Sequence, residues 1–403
     1  MRTAAVRAGI DTDAAEGAVV PPLYLSTTYR FEGLRAPRAF DYSRSGNPTR
    51  SLLADALAEL DGAAGAVVTA SGMGAISTVL LGLVAAGDVV VAPHDAYGGT
   101  WRLLDALARR VGFDLQLLDL TAPDAPTRVT SLAPRLLWVE TPSNPLLGIS
   151  DLAALGEAAH ASGGLMAVDN TFCSPVLQRP IELGADLVVQ SSTKYLNGHS
   201  DVIGGVVASA TAELAEQMAW WANCLGVTGG AFDSYQTMRG LRTLGVRMAA
   251  HQANAASVVD ALAGHAAVAR VYYPGLPDHP GHALAARQMA GFGGIVSFDL
   301  AGGEDAVAAF VDGLDHFSLA ESLGGVESLV CHPGSMTHAA MPPDVQAAAG
   351  LGPGLVRLSV GIEDPDDLVA DITAGLARAD FQLAEPLKDR RIVVAMSGGV
   401  DSS

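Results

Sequence analysis

The stretch ADLVVQSSTKYLNGHSDVIGG, Ala185 to Gly205, decides how this chain is read. Leu187 to Val189 is a short apolar run, which predicts a buried strand. It leads into Ser191, Ser192 and Thr193, then at once Lys194, then a loop of small and polar residues from Asn197 to Ser200. Chemistry in open parallel sheets collects outside the carboxyl ends of the strands, so this lysine is well placed for it. A lysine amine becomes a nucleophile when its surroundings lower its pKa from about 10.4. Hydroxyls and backbone amides at a strand end can also cradle a phosphate. Taken alone, the pattern favours an ordinary surface lysine; the neighbouring stretches decide.

Working outward, Leu165 to Val168 is a second apolar run, ending in Asp169-Asn170-Thr171. One helical crossover separates Asp169 from Lys194, so their strands can bring both to one end of a sheet. Ser51 to Leu60 has helical spacing, and Ala66 to Ile76 reads as strand, turn and helix start, with Gly72 and Gly74 in the turn. Free amides at such a helix start attract anions. Val89 to Pro93 is a strand followed by Tyr97, which would stack on a flat cofactor or serve as a core aromatic. Leu136 to Glu140 is a strand running into Thr141-Pro142-Ser143-Asn144-Pro145, and Leu152 to Ala161 is helical. Alternating strands and helices predict an α/β fold, a mostly parallel sheet covered by helices. From about Gly245 to Arg378, Ala-rich helical patterns and strands at Gly294 to Leu300 and Leu355 to Val360 predict a smaller C-terminal α/β domain. Its second strand carries Arg357, a suitable clamp for an amino-acid carboxylate.

Composition narrows the function. The chain has 403 residues, 24 Lys and Arg against 43 Asp and Glu, and a net charge of −19. Such acidity disfavours nucleic acid and anionic membranes as partners. Cys173, Cys224 and Cys331 are scattered and odd in number, which predicts no disulfide framework and fits the reducing cytoplasm. Met1 to Gly9 lacks the apolar core of a signal peptide, and no apolar run is long enough to span a bilayer. His332 and His338 have no acidic ligands nearby in sequence and predict no metal site.

Together, a lysine beside a phosphate cradle suggests a Schiff base with pyridoxal phosphate (PLP), and an acid at Asp169 can keep the pyridinium nitrogen protonated. Before the first helix lies a long irregular arm containing Asp41, Tyr42, Ser43 and Arg44; arms of this kind commonly serve an interface or a site.

These motifs closely resemble the Cys/Met-metabolism family of PLP-dependent enzymes of fold type I. The resemblance rests on DYSRSGNPTR (41–50), SGMGAI (71–76), APHDAYGGT (92–100), ETPSNPLL (140–147), VDNTF (168–172), SSTKYLNGHSD (191–201), AESLGGVESL (320–329) and RLSVGIED (357–364), in family order. It implies that Lys194 carries the cofactor and shuttles protons, that Asp169 pairs with the ring nitrogen, and that Tyr97 stacks on the ring. Gly72, Met73, Ser191 and Thr193 would hold the phosphate, joined by Tyr42 and Arg44 from a neighbouring subunit. Asn144 would lie near the ring hydroxyl, and Arg357 and Ser322 would hold the substrate α-carboxylate. The resemblance also implies a homotetramer of two catalytic dimers with shared sites. Charges at Asp41, Arg102 and Glu321 suit a small amino-acid substrate with a second charged end. The segment 220–234 most resembles the family's synthase branch, which replaces the acyl group of an O-acylhomoserine, the succinyl ester foremost, by cysteine. The γ-lyase branch and a sulfhydrylase are the alternatives.

The expected organisation is an arm at 1–50, a PLP-binding domain at 51–245, a C-terminal domain at 246–383 and a tail at 384–403. The tail's SGGVDSS resembles the pyrophosphate loop of the PP-loop ATPases, such as tRNA-thiolation enzymes. A phosphate loop without the rest of its nucleotide domain reads as a non-functional remnant, against the alternative of a nucleotide-binding fragment.

Overall fold

Alternate residues of the central strands enter different cores. Leu136 and Trp138 join Ile76, Val79 and Leu80 on one face, whereas Leu137 and Val139 join Leu152 and Leu155 on the other. Both faces are covered by helices, which is why these strands read as unbroken apolar runs. The structure, a computed structural model, describes residues 1–384. The segment 385–403, on which the pyrophosphate-loop reading falls, lies outside the described residues.

The larger sheet comprises β1 (Gly65–Thr69), β2 (Val89–Pro93), β3 (Asp114–Leu118), β4 (Leu136–Glu140), β5 (Leu165–Asp169), β6 (Leu187–Gln190) and β7 (Gly205–Ser209), in the order β1-β7-β6-β5-β4-β2-β3. From β6 to β3 every neighbouring pair is parallel; β7 runs antiparallel to both β6 and β1. This is the mostly parallel, helix-covered sheet expected. Two of its strands escape a search for apolar runs. The edge strand β3 starts at Asp114 and leaves Leu117 exposed, and β7 starts at Gly205, so close behind the polar loop that it reads as part of it.

Three helices matter to the site. Helix α1 (Pro48–Asp61) starts earlier than its apolar spacing implies, because the Asn47 side chain accepts from the Thr49 and Arg50 N–H groups and Pro48 suits the first helical position. Helix α2 (Gly72–Leu83) is capped by Ser71, whose hydroxyl accepts from Gly74 N at 3.0 Å. Helix α3 (Gly98–Val111) has no side-chain cap from its own N-cap residue, Tyr97.

The second sheet comprises β8 (Val268–Tyr272), β9 (Ile295–Leu300), β10 (Ser318–Leu319), β11 (Leu329–Cys331) and β12 (Leu355–Ser359), in the order β10-β11-β12-β9-β8. Here too the two-residue period sorts side chains. Val356 and Leu358 pack with Phe298, Phe310, Leu368 and Ile372 under α4 (Leu244–Leu262) and α5 (Pro365–Ala384). Arg357 and its register partner Ser297 take the opposite face, toward the larger sheet. There Ser297 Oγ donates to Pro145 O at 2.6 Å and Arg357 reaches Asn144.

Residues 1–47 run over the outside with one short helix, Arg2–Val6. They leave Leu25 68% and Leu34 96% exposed. Among the described residues, no helix is long and apolar enough to cross a membrane.

Candidate active site

The carboxyl ends of β4, β5 and β6, the starts of α2 and α3, and the polar face of the second sheet enclose a cavity of about 570 Å³. On the side of the larger sheet it is lined by Gly72, Met73, Tyr97, Asn144, Asp169, Ser191, Thr193 and Lys194. On the other side stand Glu321, Ser322 and Arg357, with Arg102 of α3. Residues spread over some 280 positions of sequence thus converge because strand ends and register bring them together.

The Lys194 amine donates to Ser322 Oγ at 2.6 Å. Burial pushes its pKa down to about 8; the nearby Arg357 guanidinium lowers it further and Glu321 opposes the shift. A removable proton on a partly neutral amine is what both nucleophilic attack and proton shuttling require. Its partner Ser322 has φ +91°, a conformation L residues seldom adopt. Such geometry persists only where the surroundings enforce it, and here they do: Arg357 Nη2 donates to Ser322 O at 2.9 Å, and Gly324 N donates to Ser359 Oγ at 2.8 Å.

Arg357 is 2% exposed. Its Nη1 donates to Asn144 Oδ1 at 2.8 Å, and its buried Nε has no partner among the described residues. A buried guanidinium with donors to spare and no carboxylate is suited to an incoming carboxylate. The turn that carries Asn144 is itself anchored, since the neighbouring Ser143 Oγ donates to the buried Asp95 at 2.6 Å.

Asp169 Oδ1 accepts from Thr171 N at 2.9 Å, and Thr171 Oγ1 accepts from Ser191 N at 2.9 Å. Thr171 therefore ties the ends of β5 and β6 together. Burial raises the Asp169 pKa, so the carboxylate calls for a positively charged or N–H-bearing partner from within the cavity. Beside it stands Glu140, also buried and also raised, by burial first and then by Asp169.

At the opposite end, Gly72 and Met73 begin α2, where backbone N–H groups lack helical partners. A side chain at Gly72 would meet Ser191 Cβ at 2.9 Å, so only glycine lets these amides and the Ser191 hydroxyl face one space. Thr193 lines the cavity, but its hydroxyl is engaged with Gly204, accepting from N at 3.0 Å and donating to O at 3.2 Å. Tyr97 lies over Gly99, where an added Cβ would stand 2.6 Å from Tyr97 Cε1 and 3.0 Å from Met73 Sδ. Burial raises the Tyr97 pKa, and Glu321 adds to the rise, so the phenol stays neutral.

The arm residues are elsewhere. Arg44 Nη1 donates to Asn223 O at 3.0 Å, Tyr42 is exposed, and Asp41 accepts from Ser45 and from Tyr42 N. None of the three enters the cavity of its own chain. Sequence reading missed Glu140 and Thr171. The available signal was that Glu140 ends an apolar strand just as Asp169 does.

An anion cradle, a reactive lysine and a buried acid, in a cavity with an aromatic wall, match the phosphate, aldehyde and ring nitrogen of PLP. Residues 2–377 match the family model for Cys/Met metabolism PLP-dependent enzymes. The chain is 51% identical over 378 residues to the cystathionine γ-synthase of Escherichia coli K12, covering 94% of this chain and 98% of that one. It is 44% identical, over 94% of this chain and 99% of the other, to a cystathionine β-lyase of Lactococcus lactis. A crystal structure of cystathionine γ-synthase from Xanthomonas oryzae in complex with cystathionine is similar with a TM-score of 0.93 and 58% identity, covering 94% of this chain and 98% of that one.

Proposed function

The chain belongs to the Cys/Met-metabolism family of PLP-dependent enzymes, and from that premise we propose that it is a cystathionine γ-synthase, joining O-succinyl-L-homoserine and L-cysteine into cystathionine with release of succinate. PLP is its cofactor. One observation carries the choice of substrate: the cavity binds charge at two separated places. Arg357 is deep and buried, suited to an α-carboxylate, while Arg102 and Glu321 stand exposed at the mouth. An acylhomoserine with a free distal carboxylate, and cystathionine with its second amino-acid end, both carry charge at each end. The Xanthomonas oryzae relative was solved with cystathionine.

When bound, PLP draws electrons from the substrate's α-carbon, so that protons at the α- and β-carbons become removable. Lys194, displaced by the substrate amine, takes the α-proton and moves it onward, and the Ser322 hydroxyl keeps Nζ in place for both transfers. Arg357, braced by Asn144, fixes the α-carboxylate and so aims the α-hydrogen at Lys194. Asp169 would keep a proton on the ring nitrogen, Tyr97 would wall the ring, and Gly72, Met73 and Ser191 would hold the phosphate, with Thr193 completing that wall. At the γ-carbon the bond to the acyl oxygen breaks and the bond to the cysteine sulfur forms; the acyl group leaves as its carboxylate.

We read the organisation as an arm, a PLP-binding domain and a C-terminal domain, divided near residues 50 and 245. The exposed apolar arm supports assembly into a homotetramer whose Asp41, Tyr42 and Arg44 reach a neighbouring subunit's site. Cytoplasmic location fits three unpaired cysteines. Product analysis tests the activity. With succinylhomoserine, cystathionine should appear only when cysteine is present. Rapid release of 2-oxobutanoate or pyruvate from cystathionine alone, with no synthesis, would replace the proposal by a γ-lyase or β-lyase reading; homocysteine formed from sulfide in preference would replace it by a sulfhydrylase.

A further inference from the structure

Glu140 is the one acidic residue of the cavity that the reaction as described leaves unused. It stands in β4 on the same face as Leu136 and Trp138, and Asp169 stands in β5 on the same face as Ala167. The two strands are parallel and in register, with Glu140 opposite Asp169. Two carboxyl groups thus emerge side by side at one sheet edge.

The bonds of Glu140 are specific. Oε2 accepts from Tyr97 N at 2.7 Å, and Oε1 accepts from the buried Trp138 Nε1 at 3.0 Å. Helix α3 lacks a side-chain cap of its own. Glu140 supplies one from a neighbouring strand, at the end of the helix where negative charge is favoured. The buried Thr100 hydroxyl, without a hydrogen-bond partner among the described residues, lies close enough to help lower the Glu140 pKa. Burial and Asp169 push the Glu140 pKa up, while the N–H donors pull it down. The titratable groups facing it are Asp169 from β5 and the Tyr97 phenol. Burial holds that pKa at about 8; one N–H on each oxygen at a helix start favours the ionised form, and a cationic ring bound beside Asp169 would draw the proton off Glu140.

We propose that Glu140 is a positioning residue for the cofactor: it caps α3 from the adjacent strand, which fixes Tyr97 at the cavity wall, and its charge beside Asp169 keeps the proton on the cofactor's ring nitrogen. This rests on the reading of the cavity as a PLP site. Two variants separate the parts. Glu140→Gln keeps the reach and loses the charge. Glu140→Asp keeps the charge and, one methylene shorter, loses the reach to Tyr97 N.

The test uses each holoenzyme loaded with PLP labelled with nitrogen-15 in the ring, read by the ring-nitrogen resonance and by visible circular dichroism. For Glu140→Gln the resonance should move toward the unprotonated position, with kcat about tenfold lower and KM near the wild-type value. For Glu140→Asp the resonance should return to the wild-type position while the dichroism, which senses the ring against Tyr97, stays altered. An unchanged resonance and dichroism in Glu140→Gln, or a Glu140→Asp protein that does not recover the resonance, overturns the proposal. If neither variant folds, Trp138→Phe removes one donor and leaves both acids. Losing that donor raises the Glu140 pKa further, so the ring nitrogen should give up its proton at a lower pH than in the wild type, and an unchanged midpoint would refute the role. A wild-type chain that shows no lysine-linked cofactor band would instead refute the PLP reading itself.

Discussion

The two walls of the cavity are made by different means. On the side of the larger sheet, Asp169 ends a strand, Ser191 and Lys194 follow one, and Gly72 starts a helix; each is fixed by backbone within a few residues of it. On the side of the smaller sheet, Arg357 lies mid-strand and Ser322 in a loop, and they meet through hydrogen bonds across 35 positions of sequence, with Asn144 of the opposite wall as the third member. The first wall is local and the second depends on register. The cofactor half should therefore survive loss of the substrate half, whereas the reverse should fail.

The largest expected effect breaks the local wall. Lys194→Ala should lower turnover by at least about 10³-fold, since it removes both the attachment and the proton shuttle, and should abolish the visible band of the lysine-linked cofactor. Retained turnover would end the assignment. The same amine predicts a pH dependence. Its neutral form is the nucleophile, and the fold lowers its pKa to about 8 from 10.5. Capture of added PLP by the apo chain should thus rise with pH through about 8 and then level. A rate still climbing tenfold per unit above pH 9 would mean an ordinary lysine. By linkage, unfolded chains bind the Lys194 proton more tightly, so this group adds stability to the apo fold as pH rises from about 8 toward 10.5.

Next, Arg357→Leu should break the second wall alone. Losing a buried charge-assisted pair with the substrate carboxylate costs about 3 kcal/mol, roughly 10²-fold in kcat/KM. PLP capture, measured by the same band at a pH high enough to keep Lys194 neutral without Arg357, should stay within about twofold of wild type. Loss of the band in this variant would mean that the walls are not separable. Arg102 stands at the mouth, exposed to solvent, and its loss should matter less. Arg102→Leu should shift the kcat/KM ratio by about tenfold away from succinylhomoserine and toward small uncharged substrates. An unchanged ratio would remove Arg102 from substrate selection.

The contrast also explains what could be read from sequence. The parallel sheet was legible because its inner strands are apolar on both faces, Asp169 because it ends such a strand and Lys194 because it closely follows one. Gly72 and Met73 were legible as a turn into a helix. Arg357 was visible as a charge in an apolar strand, but its pairing with Asn144 was not, since nothing local fixes the register between β12 and the turn at Asn144. Glu140 was missed although it ends its apolar strand just as Asp169 does: its bond to Tyr97 N, far off in sequence, leaves no mark in the local pattern. Thr193 was expected on a phosphate, but the return of the chain at Gly204, which engages its hydroxyl, is invisible in the local pattern. Tyr42 and Arg44 were expected to reach a neighbouring subunit's cavity, and neither they nor Asp41 line the cavity of their own chain.

Ser322 joins the walls, because its hydroxyl receives Lys194 while its carbonyl receives Arg357. Its left-handed backbone gives the smallest but cleanest test of whether the joint is enforced for function. At φ +91°, alanine should be less stable than glycine by about 1 kcal/mol, reversing the usual order of the two residues. Both Ser322→Ala and Ser322→Gly lose the hydroxyl, so both should lose a similar amount of activity, about fivefold, as expected for one neutral hydrogen bond of about 1 kcal/mol. Equal activity with unequal stability would show that the strained backbone sets where the hydroxyl points and that the hydroxyl acts on Lys194. If alanine proved as stable as glycine, the conformation would carry no strain, and the two walls would meet at Ser322 without cost to the fold.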